Sequence, residues 1–174
     1  MKNVLSFSKQ LLIENLKKED IVVDATIGNG HDTLFLCQNF KYVYGFDIQE
    51  IAVEATRNKL GDYSNYELIL ASHERVGDFV TECSGAIFNL GYLPNFDHAI
   101  TTNFNSTIKA VESLLSIIKN GIIVIVVYTG HDEGEEAREL EKFLSKIDKK
   151  HDVLKYQFIN RVNSPYILAV KIGE

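Results

Sequence analysis

Strand-like and helix-like segments alternate along this chain, and the alternation restricts its fold more than any other feature. Short apolar runs with the composition of strands occupy 21–25, 42–47, 66–71, 85–90, 122–128, 154–160 and 166–172. Apolar residues recur at helical spacing over 7–18, 31–40, 51–60, 104–118 and 137–147. Strands that are separated by helices cross over and pair in parallel, so the first five predict a parallel, doubly wound α/β sheet.

The last two strand-like runs are connected differently. Only the turn "RVNSP", residues 161–165, lies between them, and it is too short for a crossover. We therefore predict a mostly parallel seven-stranded sheet with a C-terminal antiparallel hairpin. The 174 residues fit one domain spanning 1–174. At the end of the fourth helix, "KNG" predicts Gly121 as a left-handed cap.

Composition excludes several classes of protein. The longest apolar run, Ile122–Val127, is too short to cross a bilayer, and 24% of the residues are charged, as in soluble proteins. Cys37 and Cys83 lack the spacing of metal ligands, and no histidine pair has such spacing, so we predict no metal and a reduced, cytoplasmic protein. The net charge of −6 argues against indiscriminate nucleic-acid binding but leaves room for a local basic patch.

The candidate site follows from the predicted sheet. In doubly wound sheets, ligands bind beyond the carboxyl ends of the strands, at the point where the strand order reverses. The segments that follow the first five strands are 24–30, 47–49, 72–74, 89–94 and 128–131. We therefore expect these segments to meet at one edge of the sheet.

The stretch "VVDATIGNGHDT", residues 22–33, joins the first strand to the next helix. It has two glycines but a threonine, Thr33, where the dinucleotide fingerprint needs a third glycine. Asp24 and Asp32 flank the turn and would repel a pyrophosphate. They suit a positively charged ligand, and S-adenosylmethionine is cationic and has no phosphate. A plain tight turn at Gly28 and Gly30 is the alternative.

Asp47 ends the second strand, where an acidic residue can accept both hydroxyls of a ribose. The alternative is that Asp47 caps the helix that begins near Ile51. A dinucleotide-dependent oxidoreductase would use the same acid, but the missing glycine and Asp24 count against that class.

Together "VVDATIGNGHDT", "YGFDIQ", "ASHE", "FNLGYLP" and "VYTGH" resemble the class I, Rossmann-like S-adenosylmethionine-dependent methyltransferases. Within them the chain is similar to a small bacterial family labelled rRNA methylase. Its members resemble the methyltransferase that converts 5-aminomethyl-2-thiouridine of the tRNA wobble position to the methylaminomethyl form. Thr26 stands where the superfamily often has glycine, so the exact path of the loop is open.

The resemblance implies a cofactor site for S-adenosylmethionine. The loop would hold the methionine part, Asp47 the ribose, and the residues after the second and third strands the adenine. The predicted cofactor-binding residues are Asp24, Thr26, Gly28, Asn29, Gly30, Asp32, Thr33, Asp47, Ile48, Gln49, Ser72, His73 and Asn89.

The stretch "NLGYLP" is the predicted acceptor loop. Asn89 and Tyr92 have the spacing of an amide that holds an amine and an aromatic ring on which a flipped base stacks. The alternatives are a turn-capping asparagine and a partly exposed core tyrosine. His98, beside Asp97, is the candidate base, although a loop histidine of this kind is often only hydrogen-bonded; the same holds for His31, His73 and His131.

The resemblance implies a tRNA partner, bound through its anticodon stem-loop. Arg75 and Arg161 are the predicted RNA contacts, with an ordinary solvated charge as the alternative for each. An rRNA methyltransferase, a small-molecule methyltransferase of the same fold and a non-catalytic adenosine-ligand sensor are the competing functions. A homodimer is among the assemblies that the sequence leaves open.

Overall fold

The structure of the protein is a computed structural model, and it describes residues 2–91, 104–128, 135–161 and 163–173. The helices are Val4–Asn15 (α1), His31–Asn39 (α2), Glu50–Leu60 (α3), Val76–Phe79 (α4), Phe104–Ile117 (α5) and Glu135–Leu144 (α6), with a 3₁₀ turn at His73–Arg75. The strands are Ile21–Asp24 (β1), Tyr42–Asp47 (β2), Tyr66–Leu70 (β3), Gly85–Leu90 (β4), Gly121–Val127 (β5), Asp152–Tyr156 (β6) and Tyr166–Ile172 (β7).

All seven strands form one sheet in the order β3-β2-β1-β4-β5-β7-β6. The first five pair in parallel, and β7 pairs antiparallel with both β5 and β6. The predicted doubly wound sheet with a C-terminal antiparallel hairpin is therefore confirmed. The strand order reverses between β1 and β4, which puts the residues after these two strands side by side at the carboxyl edge.

Each face of the sheet is covered by its own group of helices. One apolar cluster joins residues of α4, α5 and α6 to Ile123, Ile125 and Val127 of β5, and the other joins α1, α2 and α3 to the alternate residues of the same strand. Every residue of β5 is buried, as the unbroken apolar run "IIVIVV" predicts for a strand packed on both faces. The rigid centre of the sheet thus supports the loops at its carboxyl edge.

The predicted role of Gly121 is wrong. Gly121 is the first residue of β5 and lies outside the left-handed region, in which Gly28, Gly30 and Gly61 are found. A Cβ at Gly121 would lie 1.7 Å from the carbonyl oxygen of Ser84, so glycine is needed there for close approach of two backbone segments.

Two boundaries differ from the sequence prediction. Helix α1 begins at Val4 rather than at Phe7, because the side chain of Asn3 accepts a hydrogen bond from the backbone N–H of Ser6 and caps the helix earlier. Strand β6 covers Asp152–Tyr156, so the second half of the run "LKYQFIN" belongs to the connection that leads to β7. Among the described residues, no helix combines the length and the apolar composition needed to span a membrane.

Candidate functional site

The glycine turn lies over the carboxyl end of the sheet, between β1 and α2. Its backbone is held by both neighbouring strands, since Ala25 N–H donates to the Ile87 carbonyl at 2.9 Å and Ile27 N–H to the Phe46 carbonyl at 3.0 Å. Gly28 and Gly30 have φ values of 52° and 71°, a conformation that favours glycine. The turn is therefore a fixed loop at the start of a helix, held by its own backbone hydrogen bonds.

Asp24 supports this turn from below. Its side chain is fully buried, with one carboxylate oxygen accepting from the Thr33 hydroxyl at 2.7 Å and the other from the Thr26 N–H at 3.1 Å. Burial, followed by the charge of Asp32, raises the pKa of Asp24 to about 7. The carboxyl group thus shapes the loop and changes its charge near neutral pH.

The raised pKa gives a testable pH dependence. The folded protein keeps the Asp24 proton up to a pKa of about 7, whereas the unfolded chain loses it near the ordinary value of 3.8. The folded state binds more protons between these values, so the contribution of Asp24 to stability falls as pH rises through that window. In Asp24→Asn, the amide can still accept from Thr26 and donate to Thr33. We expect wild-type stability to fall by about 1 kcal/mol per pH unit relative to this variant.

The measurement is chemical denaturation of both cofactor-free proteins at pH 5, 6, 7 and 8. Taking the difference between the two proteins removes the contribution of groups they share, such as His73, whose pKa is lowered by burial. Parallel stability profiles would mean that Asp24 stays ionised in the folded protein.

Asp47 links the end of β2 to the glycine turn. One oxygen of its half-buried carboxylate accepts from Gly28 N–H and the other from Gln49 N–H, both at 2.9 Å. Gln49 is the N-cap residue of α3, and it makes no side-chain cap bond. Each carboxylate oxygen keeps a further acceptor position, so Asp47 can still accept two vicinal hydroxyls. The next residue, Ile48, is 55% exposed and offers an apolar surface beside it.

Asn89 lies across the strand-order reversal from the glycine turn. Its backbone N–H donates to the Thr26 hydroxyl at 2.7 Å, and its side-chain Nδ2 donates to Asp32 Oδ2 at 3.2 Å. The other Asp32 oxygen pairs with Lys9 Nζ at 3.1 Å. A carboxylate can only accept, so the NH₂ group of Asn89 must face Asp32 and its Oδ1 must face the other way. The amide oxygen is thereby oriented before any ligand binds.

Lys9 is the site residue that sequence reasoning missed. It lies on α1, two elements before Asp32, and no local motif signals that α1 will reach the start of α2. Lys9 Nζ also lies 5.1 Å from the ring centroid of Phe35 on α2, and this contact helps to hold the Lys9 side chain against α2. The positive charge next to Asp32 offsets part of the negative charge that Asp24 and Asp32 bring to the loop.

Ser72 and His73 follow β3 at the same edge. The Ser72 hydroxyl accepts from Glu74 N–H at 3.4 Å. His73 is buried, with Nδ1 3.1 Å from the Ala25 carbonyl oxygen and Nε2 3.4 Å from the Ser106 hydroxyl. Both ring nitrogens therefore have protein partners, and the ring ties the start of the glycine turn to α5.

The other predicted site residues are spread more widely. Arg75 is exposed, pairs with Asp78 at 2.9 Å and lies over the Phe79 ring. Arg161 lies over the Phe158 ring at 4.5 Å. His31 is exposed at the start of α2, where Lys59 Nζ lies within 3.4 Å of its ring nitrogens. Tyr92, His98 and His131 lie outside the described residues.

Comparison with known proteins identifies relatives of this chain. Residues 43–171 match the model of the family described as "Putative rRNA methylase". A protein of Arabidopsis thaliana named tRNA (mnm(5)s(2)U34)-methyltransferase, chloroplastic, is 34% identical over 173 residues, which cover 88% of this chain and 63% of that protein. The chain therefore spans less than two thirds of the length of this curated relative.

Solved structures agree over nearly the full length. A protein of Clostridium thermocellum described as "putative rRNA-methylase" is 36% identical, with a TM-score of 0.94 and 98% coverage of both chains. A "putative methyltransferase" of Streptococcus mutans in complex with SAH is also 36% identical, with a TM-score of 0.92 and 98% coverage of both chains. SAH is the product that S-adenosylmethionine leaves after methyl transfer.

Proposed function

Because this chain belongs to the "Putative rRNA methylase" family, and S-adenosylmethionine is its cofactor, we propose that it methylates the aminomethyl group of a tRNA wobble uridine. In this proposal 5-aminomethyl-2-thiouridine becomes the methylaminomethyl form. The name of the Arabidopsis relative supports the tRNA substrate. The observation that carries the proposal is the Asn89 amide, whose NH₂ group faces Asp32 so that its oxygen is available to an amine.

The residues at the carboxyl edge fit the parts of the cofactor. We assign the ribose hydroxyls to Asp47, which has acceptor positions left, and the adenine to the exposed Ile48 with Gln49 and Ser72. The loop from Thr26 to Gly30 would hold the methionine part. Asp32, and Asp24 where it is ionised, supply negative charge toward a cationic ligand, and Lys9 offsets part of it.

The chemistry requires orientation more than activation. Bound S-adenosylmethionine supplies a methyl group on a positively charged sulfur, and its leaving group is neutral. Asn89 Oδ1 accepts a hydrogen of the acceptor amine and directs the nitrogen lone pair at the methyl carbon. Orientation of this kind, with water excluded, can supply most of the acceleration.

The acceptor amine must lose a proton before it attacks. We keep His98, beside Asp97, as the candidate base and Tyr92 as the ring that stacks on the flipped uridine. Both residues lie outside the described ranges, Tyr92 three and His98 nine positions after Asn89 in the chain. A tRNA substrate and the two free cysteines, Cys37 and Cys83, fit a cytoplasmic location.

The orientation of Asn89 can be tested through its partner. In Asp32→Asn the new side chain can either accept or donate, so the Asn89 amide is free to rotate by 180°. We expect turnover on tRNA at saturating S-adenosylmethionine to fall by up to about a hundredfold. Loss of the Asp32 charge lowers cofactor affinity as a separate effect. Steady-state kinetics with tRNA and calorimetry with S-adenosylmethionine separate the two effects. If turnover is unchanged and affinity is lost, Asp32 serves the cofactor rather than Asn89.

The substrate assignment needs a direct test, because the family description names rRNA. Bulk tRNA and rRNA are purified from a strain that lacks the gene, and each is incubated with the protein and labelled S-adenosylmethionine. Digestion and mass spectrometry then identify the labelled nucleoside. Label on the methylaminomethyl group of a tRNA uridine supports the proposal. Label on rRNA alone, on a ribose or on a ring nitrogen would replace it with another RNA target, and no label on either RNA would favour a small-molecule acceptor.

A further inference from the structure

Three aromatic rings and one arginine contact one another in a row, with tilted and edge-to-face ring geometry. The Phe7 and Tyr156 rings lie 4.4 Å apart between centroids, and the Tyr156 and Phe158 rings lie 5.5 Å apart. The Arg161 guanidinium lies over Phe158, 4.5 Å from its centroid. The three rings are half-buried against the core, and Arg161, which covers one face of Phe158, is exposed. We call Phe7, Tyr156, Phe158 and Arg161 the aromatic platform.

Sheet register places the platform at the carboxyl edge. Tyr156 at the end of β6 is opposite Ile167, and the neighbouring Tyr166 is opposite Val127 at the end of β5. The platform therefore lies at the same edge of the sheet as the glycine turn. Helix α1 provides a second link, because Phe7 touches the platform and Lys9, two residues later, pairs with Asp32.

The charge around the platform is opposite to that of the whole chain. The segments 2–11 and 156–161, which build the platform and its surroundings, contain Lys2, Lys9 and Arg161 and no aspartate or glutamate. The Tyr156 hydroxyl donates to the Lys2 carbonyl at 2.9 Å and holds the start of the chain against this surface. The charge of Lys9 is paired with that of Asp32, so on a protein of net charge −6 it is Lys2 and Arg161 that make this surface complementary to a polyanion.

We propose that the aromatic platform binds an unpaired nucleotide of the RNA substrate, close to the nucleotide that is methylated. Aromatic rings and arginine planes are the surfaces on which unpaired bases stack, and the adjoining cations attract the phosphates. Ile159, 97% exposed in the same connection, adds an apolar side chain that can contact a base or ribose. This inference rests on the proposed function, since it takes the substrate to be RNA.

The test measures RNA binding and catalysis with the full chain. A fluorescent, unmodified anticodon stem-loop and a blunt RNA duplex of equal length are titrated with wild type, Phe158→Ala, Arg161→Ala and Arg161→Lys. Lys119→Glu is the charge control, because it changes the net charge by more than Arg161→Ala does, at an exposed residue of the opposite edge just before β5. We expect Phe158→Ala to weaken stem-loop binding on the order of tenfold, the loss of one base stack, and to change duplex binding little.

The arginine variants separate the contribution of the planar guanidinium group of Arg161 from that of its positive charge. Arg161→Lys keeps the charge but loses the plane, so it should bind the stem-loop more weakly than wild type while keeping the same salt dependence. The Michaelis constant for tRNA should rise in the platform variants, with cofactor affinity and the behaviour of Lys119→Glu unchanged.

Two results would overturn the proposal, and they differ from a failure of the proposed function. If wild type methylates tRNA but Phe158→Ala and Arg161→Ala bind the stem-loop as wild type does, the platform is not an RNA site while the function stands. If these variants instead change the oligomeric state in light scattering and leave RNA binding intact, the platform is a contact between two copies of the chain. If wild type neither binds nor methylates any RNA, both proposals fail together.

Discussion

Replacing Asn89 with alanine is expected to lower turnover on tRNA about a hundredfold, while affinity for S-adenosylmethionine changes far less. The reason is the fixed amide. Its Nδ2 is held by Asp32, so its oxygen is oriented to accept an amine hydrogen without the desolvation cost of another buried charge. Small errors in near-attack geometry can cost about a hundredfold, and no other described contact holds this position.

The variant should fold normally, because the bond to the Thr26 hydroxyl is made by the backbone of residue 89. Single-turnover methylation of tRNA and calorimetric binding of the cofactor are measured for wild type and variant. Asn39→Ala is the matched control, since it removes a side-chain amide at the end of α2 that donates to the Phe35 carbonyl, away from the glycine turn. Equal turnover by Asn89→Ala would remove the acceptor role of Asn89 and leave it as a turn residue.

Replacing Asp47 with alanine is expected to weaken S-adenosylmethionine binding roughly ten- to a hundredfold or more. A hydrogen bond to a charged group typically contributes about 1.5–3 kcal/mol, and Asp47 can accept two from the ribose. The structure adds a second cause, because the same carboxylate holds Gly28 N–H and thereby the shape of the glycine turn. Calorimetry gives the affinity, and thermal unfolding checks that the fold persists.

The two causes can be separated with a second ligand. Wild type should bind SAH more tightly than an SAH analogue that lacks the ribose hydroxyls, and Asp47→Ala should lose this preference if the carboxylate binds the ribose. If the variant keeps the preference, Asp47 acts only on the turn. Asp62→Ala, at an exposed carboxylate just after α3, is the control for the loss of one negative charge.

The arrangement of strands could be predicted because it depends on periodicity. The apolar run of β5 indicated burial on both faces, and the short turn 161–165 indicated an antiparallel pair. The role of Gly121 could not be predicted, because a left-handed cap and a close backbone approach both require glycine and give the same residue in the sequence. The close approach, in which a Cβ at Gly121 would lie 1.7 Å from the Ser84 carbonyl oxygen, depends on two segments that only the folded sheet brings together.

The sequence predicted which residues meet at the site only for those that lie at the carboxyl ends of strands. Asp24 and Asp47 end β1 and β2, and Asn89 is the next-to-last residue of β4, so their convergence on the glycine turn follows from topology. Lys9 has no such signal, since its contact with Asp32 depends on the packing of α1. His73 also follows a strand, but which way its ring points depends on α5, which lies far along the chain.

The position of β7 in the sheet has a consequence for synthesis of the protein. Strand β7 follows β6 in the chain, yet it lies between β5 and β6 and is almost entirely buried. While the ribosome has released the chain only as far as β6, the long apolar β5 has an unpaired edge, which is a template for wrong pairing with other chains. The nascent protein thus cannot close its sheet from one end to the other in order of translation. Its protection from aggregation is delayed until residues 166–172 leave the exit tunnel and insert as the missing strand.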